Sequence, residues 1–404
     1  MQQPVTSARK KISVLVTDGE ERAALACVRS LGAAGYDVVV ASPRRRSLAG
    51  ASRFARASVV LPSALVDPTG FLSSLSQTVR QEEIDVLLPV TEHSLRPVLA
   101  APERFSGVHI PFAALQQFQQ VSNKAIVLAA ARELGIATPA QYTLETAADG
   151  RHADKLPLAY PLVLKPSRSV VPSDNGATKV GVSYVAHAGE LATKLAAYPP
   201  EAFPILLQQR IVGPGIGVFL LFWNGEVVAT SGHRRIRECP PSGGVSAYRE
   251  AVVPPPALVK KSRELLDHFG WQGVAMVEYK IDEATGTPYL MEINGRFWGS
   301  LQLAVDAGVD FPRLLVESVL GKRHEMPILG SGGVRSRWEW GDVNHLIARL
   351  RASASELGLT SAAGGRGRAL LDFLAWRRGD RLEVLRVRDP GPFVRETLDW
   401  LQRR

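Results

Sequence analysis

Hydrophobic positions in the first 110 residues follow two alternating periods. Four apolar runs have the length of a buried strand: 12–17, 37–41, 58–62 and 85–90. Apolar residues between these runs recur at helical spacing, as Phe71, Leu75 and Val79 do before the last run. This regular alternation of strands and helices predicts a doubly wound parallel sheet, an α/β fold, for the first part of the chain.

From residue 111 onward, runs of strands are separated by few helices. Helical periodicity is found at 123–134, 187–198 and 257–269. Ser122 is the expected N-cap of the first of these helices, and Asn224–Gly225 between two apolar runs predicts a β-hairpin. Antiparallel strands that pack against a few helices indicate an α+β layout. The glycine-rich segment 329–334 then predicts a linker.

The length and composition of the chain indicate how many packed units it forms and which class of protein it belongs to. With 404 residues the chain is too long for one ordinary core, so two to four packed units are expected. Its longest apolar runs fall short of the roughly 18 residues that cross a bilayer. Cys27 and Cys239 are too few for a disulfide or zinc framework, and no apolar signal segment follows the basic N-terminus. We therefore expect a cytoplasmic protein.

The chain is basic, with 48 lysines and arginines against 39 acids and a net charge of +9. A solvated arginine-rich surface is the simplest interpretation, and no nucleic-acid-binding motif accompanies the charge, so nucleic acid is not an expected partner. Residues 373–378 and 393–404 are amphipathic and basic, which leaves weak contact with an anionic membrane open. A homo-oligomer also stays open. Trp338 and Trp340, two residues apart, predict a strand face that packs in the core.

The loop TDGEER after the first strand argues against a dinucleotide site. It has one glycine where G-x-G-x-x-G needs three. Glu20 and Glu21 also lie at the start of the next helix, where a pyrophosphate would bind. We therefore exclude a nicotinamide-cofactor site of the usual kind.

The strongest chemical signal lies in the segment 273–300. Alternate side chains of a strand share a face, so Glu292 and Asn294 point the same way, and a tight turn between two strands places Glu278 opposite Glu292. Two facing carboxylates repel each other unless a cation lies between them, and Mg²⁺ favours such oxygen ligands together with nucleotide phosphates. The pattern predicts a metal site, and it predicts that removing one acid relieves repulsion. The alternative is a solvated pair partly neutralised by Lys280.

The run EINGR after a glutamate-bearing strand resembles the metal-binding hairpin of the ATP-grasp superfamily. Further segments match the family's lysine-opened helix, second lysine-bearing strand, phosphate-covering loop and hinge, in that order: 123–139, 160–169, 169–181 and 205–215. The resemblance covers roughly residues 12–320. It implies an N-terminal Rossmann-like domain over 1–110, a two-lobed ATP-grasp domain over 111–322 with its hinge near 208–213, and a small arginine-rich C-terminal extension over 323–404.

The resemblance also implies an ATP site. The residues that it assigns to ATP are Lys124, Lys165, Gly176, Gln208, Gln209 and Ile211. The two lysines would place point charges on phosphates, and the glycine would let backbone N–H groups approach phosphate oxygens. At the hinge the family usually has a glutamate, whereas this chain has two glutamines, so the ribose contact departs from the family's pattern.

The remaining implied roles concern metal and catalysis. Glu278, Glu292 and Asn294 would hold Mg²⁺, with Mn²⁺ as an alternative, and Arg296 would stabilise the transferring phosphoryl group. Two further arginines, Arg235 and Arg237, share a strand face with His233 and precede a loop rich in proline and glycine. In the family this region contributes to phosphate and acceptor binding. The alternative is a solvated basic strand end.

Together these residues predict an ATP- and magnesium-dependent ligase. The family activates a carboxylate as an acyl phosphate and lets an amine displace phosphate, so small-molecule carboxylates and amines are the expected partners and ADP the expected product. Two alternatives stay open. A carboxylase that uses bicarbonate would share every motif, and a non-catalytic nucleotide-binding protein would share all but the metal carboxylates.

Overall fold

The computed structural model describes residues 11–150, 158–173, 176–241, 243–354, 356–357, 359 and 364–402. Parts of all three predicted domains lie outside the described residues: 1–10 of the first, 151–157, 174–175 and 242 of the second, and 355, 358, 360–363 and 403–404 of the third. Residues 174–175 belong to the predicted phosphate-covering loop, and 403–404 to the basic C-terminal segment. In the part of the chain that is described, no helix is long and apolar enough to span a membrane.

A parallel four-stranded sheet forms the first unit. Its strands are β1 (Ser13–Val16), β2 (Asp37–Ser42), β3 (Ala57–Val60) and β4 (Val86–Leu88). The helices between and after them are α1 (Arg22–Ala33), α2 (Pro68–Gln81) and α3 (Glu92–Ala100). The strand order is β3-β2-β1-β4, so the winding reverses between β1 and β4, and the loops that follow these two strands form a crevice. The predicted doubly wound sheet is confirmed.

Both faces of this sheet are covered, which explains its continuous apolar runs. Val14 and Val16 of β1 belong to the same core as Val28 of α1, whereas Leu15 between them packs into a second core with Phe71 of α2. A strand that is buried on both faces needs apolar residues at consecutive positions.

A small lobe follows two linking helices, α4 (Leu115–Val121) and α5 (Lys124–Glu133). Its elements are β5 (Gln141–Leu144), β6 (Leu162–Pro166), β7 (Val170–Ser173), β8 (Gly176–Lys179), β9 (Ser183–Val185), α6 (Ala188–Ala196) and β10 (Ile205–Gln209). The sheet order is β5-β10-β6-β9, and β7 pairs with β8 as a separate hairpin. The prediction of Ser122 as N-cap is wrong: Ser122 follows α4, and the Asn123 side chain caps α5 by accepting from the N–H groups of Ala125 and Ile126.

The large lobe is an eight-stranded sheet. Its strands are β11 (Gly215–Trp223), β12 (Glu226–Cys239), β13 (Val245–Val252), β14 (Gly273–Ile281), β15 (Pro288–Asn294), β16 (Ile328–Leu329), β17 (Arg335–Arg337) and β18 (Asp380–Leu382). The order is β15-β14-β11-β12-β13-β17-β18, and β16 pairs with β12. Asn224 and Gly225 have φ angles of 51° and 80°, so the predicted hairpin between β11 and β12 is confirmed.

The remaining helices surround this sheet and complete the C-terminal part. They are α7 (Pro256–His268), α8 (Leu301–Asp306), α9 (Phe311–Val319), α10 (Glu339–Arg351), α11 (Arg366–Leu374) and α12 (Gly391–Gln402). The segment 329–334 does not separate the tail from the sheet, because β17 and β18 extend the same sheet beyond it. The prediction of a strand at Trp338 and Trp340 is also wrong, since both lie at the start of α10, where Trp340 stacks on Trp400 at 4.0 Å between ring centroids.

Candidate active site

The hairpin of β14 and β15 brings the predicted metal ligands together. Glu278 lies directly opposite Glu292, and Asn294 lies opposite Met276 on the same pair of strands. Strand alternation places these polar side chains on one face and buries Val277 and Ile293 on the other. The predicted register of the two carboxylates is confirmed.

The chain itself supplies cations to both carboxylates. Glu292 Oε2 lies 3.4 Å from Lys124 Nζ and 3.6 Å from Lys165 Nζ, while Glu278 Oε2 lies 2.7 Å from Arg235 Nη2. Burial favours the neutral form of Glu292, but the ammonium groups of Lys165 and Lys124 outweigh it and hold the pKa of this carboxyl well below its usual range. Burial raises the pKa of Glu278, and the guanidinium group of Arg235 opposes that shift.

The two lysines arrive from separate elements. Lys124 is the first residue of α5, where the Asn123 cap fixes its direction, and its Nζ donates to Ser169 Oγ at 2.9 Å. Lys165 lies on β6 and donates to the backbone oxygen of Met291 at 3.2 Å. Burial lowers the pKa of Lys165, and Glu292 opposes that shift by stabilising the ammonium form. The small lobe and the large lobe are thus joined through Glu292.

Arg296 extends the polar row beyond β15. Its Nη2 donates to Asn294 Oδ1 at 3.1 Å, and Asn294 Nδ2 donates to Glu292 Oε1 at 3.4 Å. Glu92 of α3 adds a carboxyl to this wall. Burial raises the pKa of Glu92, while Arg296 and Lys124 act in the opposite direction. The first unit therefore contributes directly to the site.

The predicted hinge lines the other end of the site. Gln208 is buried, and its Nε2 donates to Gln141 Oε1 at 2.6 Å, so this amide ties β10 to β5. Gln209 is exposed, and Ile211 is buried with its carbonyl oxygen 3.4 Å from Lys280 Nζ. An apolar side chain beside the backbone of a hinge suits a purine base.

A cavity of about 500 Å³ is lined by most of these groups, and Lys124 and Glu92 line a smaller pocket beside it. The cavity runs from the hinge past Lys165, Glu278, Glu292, Asn294 and Arg296 to a far end formed by Arg22, His233 and residues 298–300. Among the described residues, six lysine and arginine side chains line it against three glutamates. This surplus of positive charge suits a polyanionic ligand.

Neither Arg237 nor Gly176 is among the described residues that line this cavity. The sequence predicts that Arg235 and Arg237 share a strand face, and this prediction is wrong. The strand register shifts on both sides of Arg237, so its side chain does not lie on the face of Arg235. Instead, Arg237 Nε and Nη2 each donate to the buried carboxylate of Asp342 in α10 at 2.6 Å. Gly176 has φ of +112° and packs against the backbone oxygens of Leu65 and Val66 in the first unit.

The sequence analysis missed Arg22 and Ser300, which line this cavity, and Glu92, which lines the smaller pocket beside it. Arg22 and Glu92 begin the helices that follow β1 and β4. These strands flank the point where the winding reverses, and ligands of such sheets bind at the carboxyl ends of the strands there. The loop TDGEER is therefore part of a site, although not of a dinucleotide site.

The donor set fits magnesium only together with phosphate. In the described part of the chain, no three His, Cys, Asp or Glu side chains converge as a complete metal site. Glu278, Glu292 and Asn294 provide two carboxylates and an amide oxygen on one face. Mg²⁺ is typically held by one or two carboxylates and completed by nucleotide phosphates, so these residues fit a magnesium–nucleotide complex.

Comparison with known proteins gives a family match for part of the chain. A family model described as "ATP-grasp in the biosynthetic pathway with Ter operon" matches residues 201–339, a stretch that contains Arg235, Glu278, Glu292, Asn294 and Arg296. Residues 201–339 of the chain thus match an ATP-grasp family. No curated protein matches the sequence.

Solved structures share the fold at low sequence identity. An L-amino acid ligase from Bacillus licheniformis is 21% identical with a TM-score of 0.59, covering 78% of this chain and 75% of its own. The biotin carboxylase domain of the Hydrogenobacter thermophilus 2-oxoglutarate carboxylase, complexed with MgADP, ADP and bicarbonate, is 15% identical with a TM-score of 0.62, covering 79% and 72%. The N5-carboxyaminoimidazole synthetase from Staphylococcus aureus, complexed with ADP, is 13% identical with a TM-score of 0.61, covering 82% and 83%.

Proposed function

We propose that this protein is an ADP-forming ligase that activates a small-molecule carboxylate as an acyl phosphate and joins it to an amine. The observation that carries this proposal is the convergence of Lys124, Lys165 and Arg235 on the facing pair Glu278 and Glu292, which line the cavity. Cations and carboxylates so arranged suit phosphoryl transfer, in which positioning and charge neutralisation provide most of the catalysis.

Each group has a task in that reaction. When ATP binds, Lys124 and Lys165 exchange their contacts with Glu292 for contacts with phosphate oxygens. Glu292 is then free to ligate a metal ion beside Glu278 and Asn294. When held by these groups, Mg²⁺ would neutralise charge on the phosphoryl oxygens. Arg296, fixed by Asn294 and by the backbone oxygen of Phe297 at 2.8 Å, stabilises charge at the transferred group.

The proposed chemistry balances over two steps. A carboxylate oxygen of the acid attacks the γ-phosphorus of ATP, and the bond to the bridging oxygen breaks to release ADP. The amine nitrogen then attacks the acyl carbon, loses a proton, and the carbon–oxygen bond breaks to release phosphate. Among the similar structures, the protein named L-amino acid ligase offers a chemical parallel, which makes amino acids the first substrates to test.

A screen of amino and organic acids for ADP release tests this proposal. We expect an acid and an amine together to produce ADP and phosphate in equal amounts, with the Glu292→Gln variant reduced on the order of 10²-fold or more. The matched control is Glu264→Gln, since Glu264 forms surface ion pairs on α7. Production of AMP and pyrophosphate would contradict the proposal.

A second candidate is a carboxylase that uses bicarbonate. It is favoured by the similarity to the biotin carboxylase domain complexed with bicarbonate and to the N5-carboxyaminoimidazole synthetase. Phosphate release that depends on bicarbonate, in the absence of any organic acid, would select the carboxylase over the ligase.

A further inference from the structure

We propose that Arg22 forms an anion-binding subsite at the far end of the cavity and there holds a carboxylate of the substrate that does not react. The inference deepens the proposed function, because it names an acidic substrate for the same site. Arg22 lines the cavity together with Trp298, Gly299 and Ser300, on the side away from the hinge.

The Arg22 side chain is held in place before any ligand binds. Its Nη1 donates to Glu383 Oε2 at 2.6 Å, and its guanidinium carbon lies 3.9 Å from the centroid of the Trp338 ring. The side chain is only 11% exposed. Both partners come from the C-terminal part of the chain. A guanidinium group that is hydrogen-bonded at one nitrogen and stacked on an aromatic ring loses little conformational freedom when it binds an anion.

Space is left at the second nitrogen. Gly299 is exposed, and a Cβ added there would lie 3.3 Å from Arg22 Nη2. The absence of a side chain at this position keeps the Nη2 edge accessible from the cavity. A carboxylate is the planar partner that this edge of a guanidinium group matches best.

The charges behind Arg22 favour an anion. Glu383 pairs with both Arg22 and the fully buried Arg249, so one carboxylate serves two guanidinium groups. Burial raises the pKa of the neighbouring carboxyl group Glu396 to about 7, so this group carries only part of a negative charge near neutral pH. Positive charge therefore remains at Arg22 for a ligand.

Three other cationic groups of the cavity, and its histidine, have different partners. Lys165 pairs with Glu292, Arg235 pairs with Glu278, and Arg296 donates to Asn294. His233 hydrogen-bonds Ser300 at 3.0 Å, and burial holds its pKa well below the ordinary value, so its ring is neutral. At the far end of the cavity, Arg22 is thus available to bind one anionic group. This end is separate from the part of the cavity proposed to bind phosphates.

Calorimetric titration of malonate into the Mg·ADP-loaded full-length protein tests the subsite without requiring turnover. We expect malonate to bind the unmodified protein and its affinity to fall at least tenfold in Arg22→Gln, which corresponds to about 1.4 kcal/mol. Gly299→Leu, which crowds Nη2 but leaves Glu383 and Trp338 in place, should cause a similar loss. The affinity for Mg·ADP should change less than twofold in both variants.

The matched control is Arg313→Gln, because Arg313 forms an ion pair with Glu317 on α9 and does not line the cavity. Failure of malonate to bind the unmodified protein, or unchanged malonate affinity in Arg22→Gln, would overturn the subsite. Malonate binding that depends on Arg22, in a protein that releases no ADP with any acid, would support the subsite while contradicting the proposed ligase.

Discussion

Glu292 is the side chain on which the charge balance of the site depends. It lies within 3.6 Å of two buried ammonium groups, Lys124 and Lys165, which come from different elements. The sequence predicts that the pair Glu278 and Glu292 is strained by repulsion. The structure shows instead that each carboxylate is paired with cations of this chain. Removal of Glu292 would therefore leave Lys124 and Lys165 without a counter-ion.

We therefore expect Glu292→Gln to destabilise the ligand-free protein by about 1–3 kcal/mol, because two buried ammonium groups lose their counter-ion. Chemical denaturation of the variant measures this change. A double variant, Lys165→Met with Glu292→Gln, should recover part of the loss, since one of the two charges goes with its partner. A Glu292→Gln protein as stable as the original, or more stable, would show that carboxylate repulsion dominates.

This contrast shows what the sequence can and cannot predict about single residues. Strand alternation was enough to place Glu278, Glu292 and Asn294 on one face, because it is a local rule. Arg22 could not be found in that way. Its role depends on Glu383 and on Trp338, which meet it only through tertiary packing.

Glu396 gives the fold a measurable pH dependence. Burial raises the pKa of this carboxyl to about 7 from its ordinary value near 4.5, although a hydrogen bond from Trp338 acts in the opposite direction. The folded state then binds more protons than the unfolded state between these two values, so Glu396 makes stability fall as pH rises through that window, by up to about 1.4 kcal/mol per pH unit.

We expect Glu396→Gln to remove this contribution. Relative to the original protein, the variant should become more stable as pH rises from about 4.5 to about 7. Above that range the difference in free energy of unfolding should stay constant. Denaturation curves across this range provide the measurement. A difference that does not vary with pH would contradict the raised pKa.

At the scale of elements, β12 separates two arginines that the sequence places together. Simple alternation puts Arg235 and Arg237 on one face, but register shifts around Arg237 turn it away from Arg235. Arg235 reaches Glu278, while Arg237 pairs with the fully buried Asp342 of α10. Irregularities of this kind depend on the packing of α10 on β12, which no local pattern of the sequence reveals.

We expect the two arginines to differ in function. Arg235→Met should reduce turnover on the order of 10²-fold, because it leaves Glu278 without its cation at the reacting groups. Arg237→Met should leave Mg·ADP affinity within twofold and instead lower stability by about 3 kcal/mol, because Asp342 loses a buried partner. Parallel calorimetry and denaturation separate these effects. A large loss of nucleotide affinity in Arg237→Met would return this residue to the active site.

At the scale of the whole molecule, the C-terminal part closes the structure onto the first unit. Asp389 accepts from Arg29 Nε of α1 at 2.8 Å, and Glu383 accepts from Arg22 of the same helix. Because β17 and β18 also belong to the large sheet, residues beyond 330 join the first unit and the large lobe. The sequence indicated the fold of each region, but not this connection, which depends on ion pairs between residues more than 300 positions apart.

Truncation after Gly330 should therefore abolish cooperative folding, since it removes β17, β18 and the counter-ion of the buried Arg249. A shorter truncation after Pro390 removes α12 but keeps Glu383 and Asp389, and it should retain Mg·ADP binding with reduced stability. Thermal unfolding and nucleotide titration of both proteins provide the comparison. A well-folded, nucleotide-binding protein that ends at Gly330 would show that the tail is an independent addition.

The central claim is that the cavity activates a carboxylate through an acyl phosphate, and oxygen-18 transfer tests it most directly. Label placed in the carboxylate of an acid that supports ADP release should appear in the phosphate product, because one carboxylate oxygen stays bonded to phosphorus when the amine displaces it. We expect one labelled oxygen per phosphate released. Label in AMP, with pyrophosphate as the other product and none in phosphate, would mean adenylation and would contradict the account.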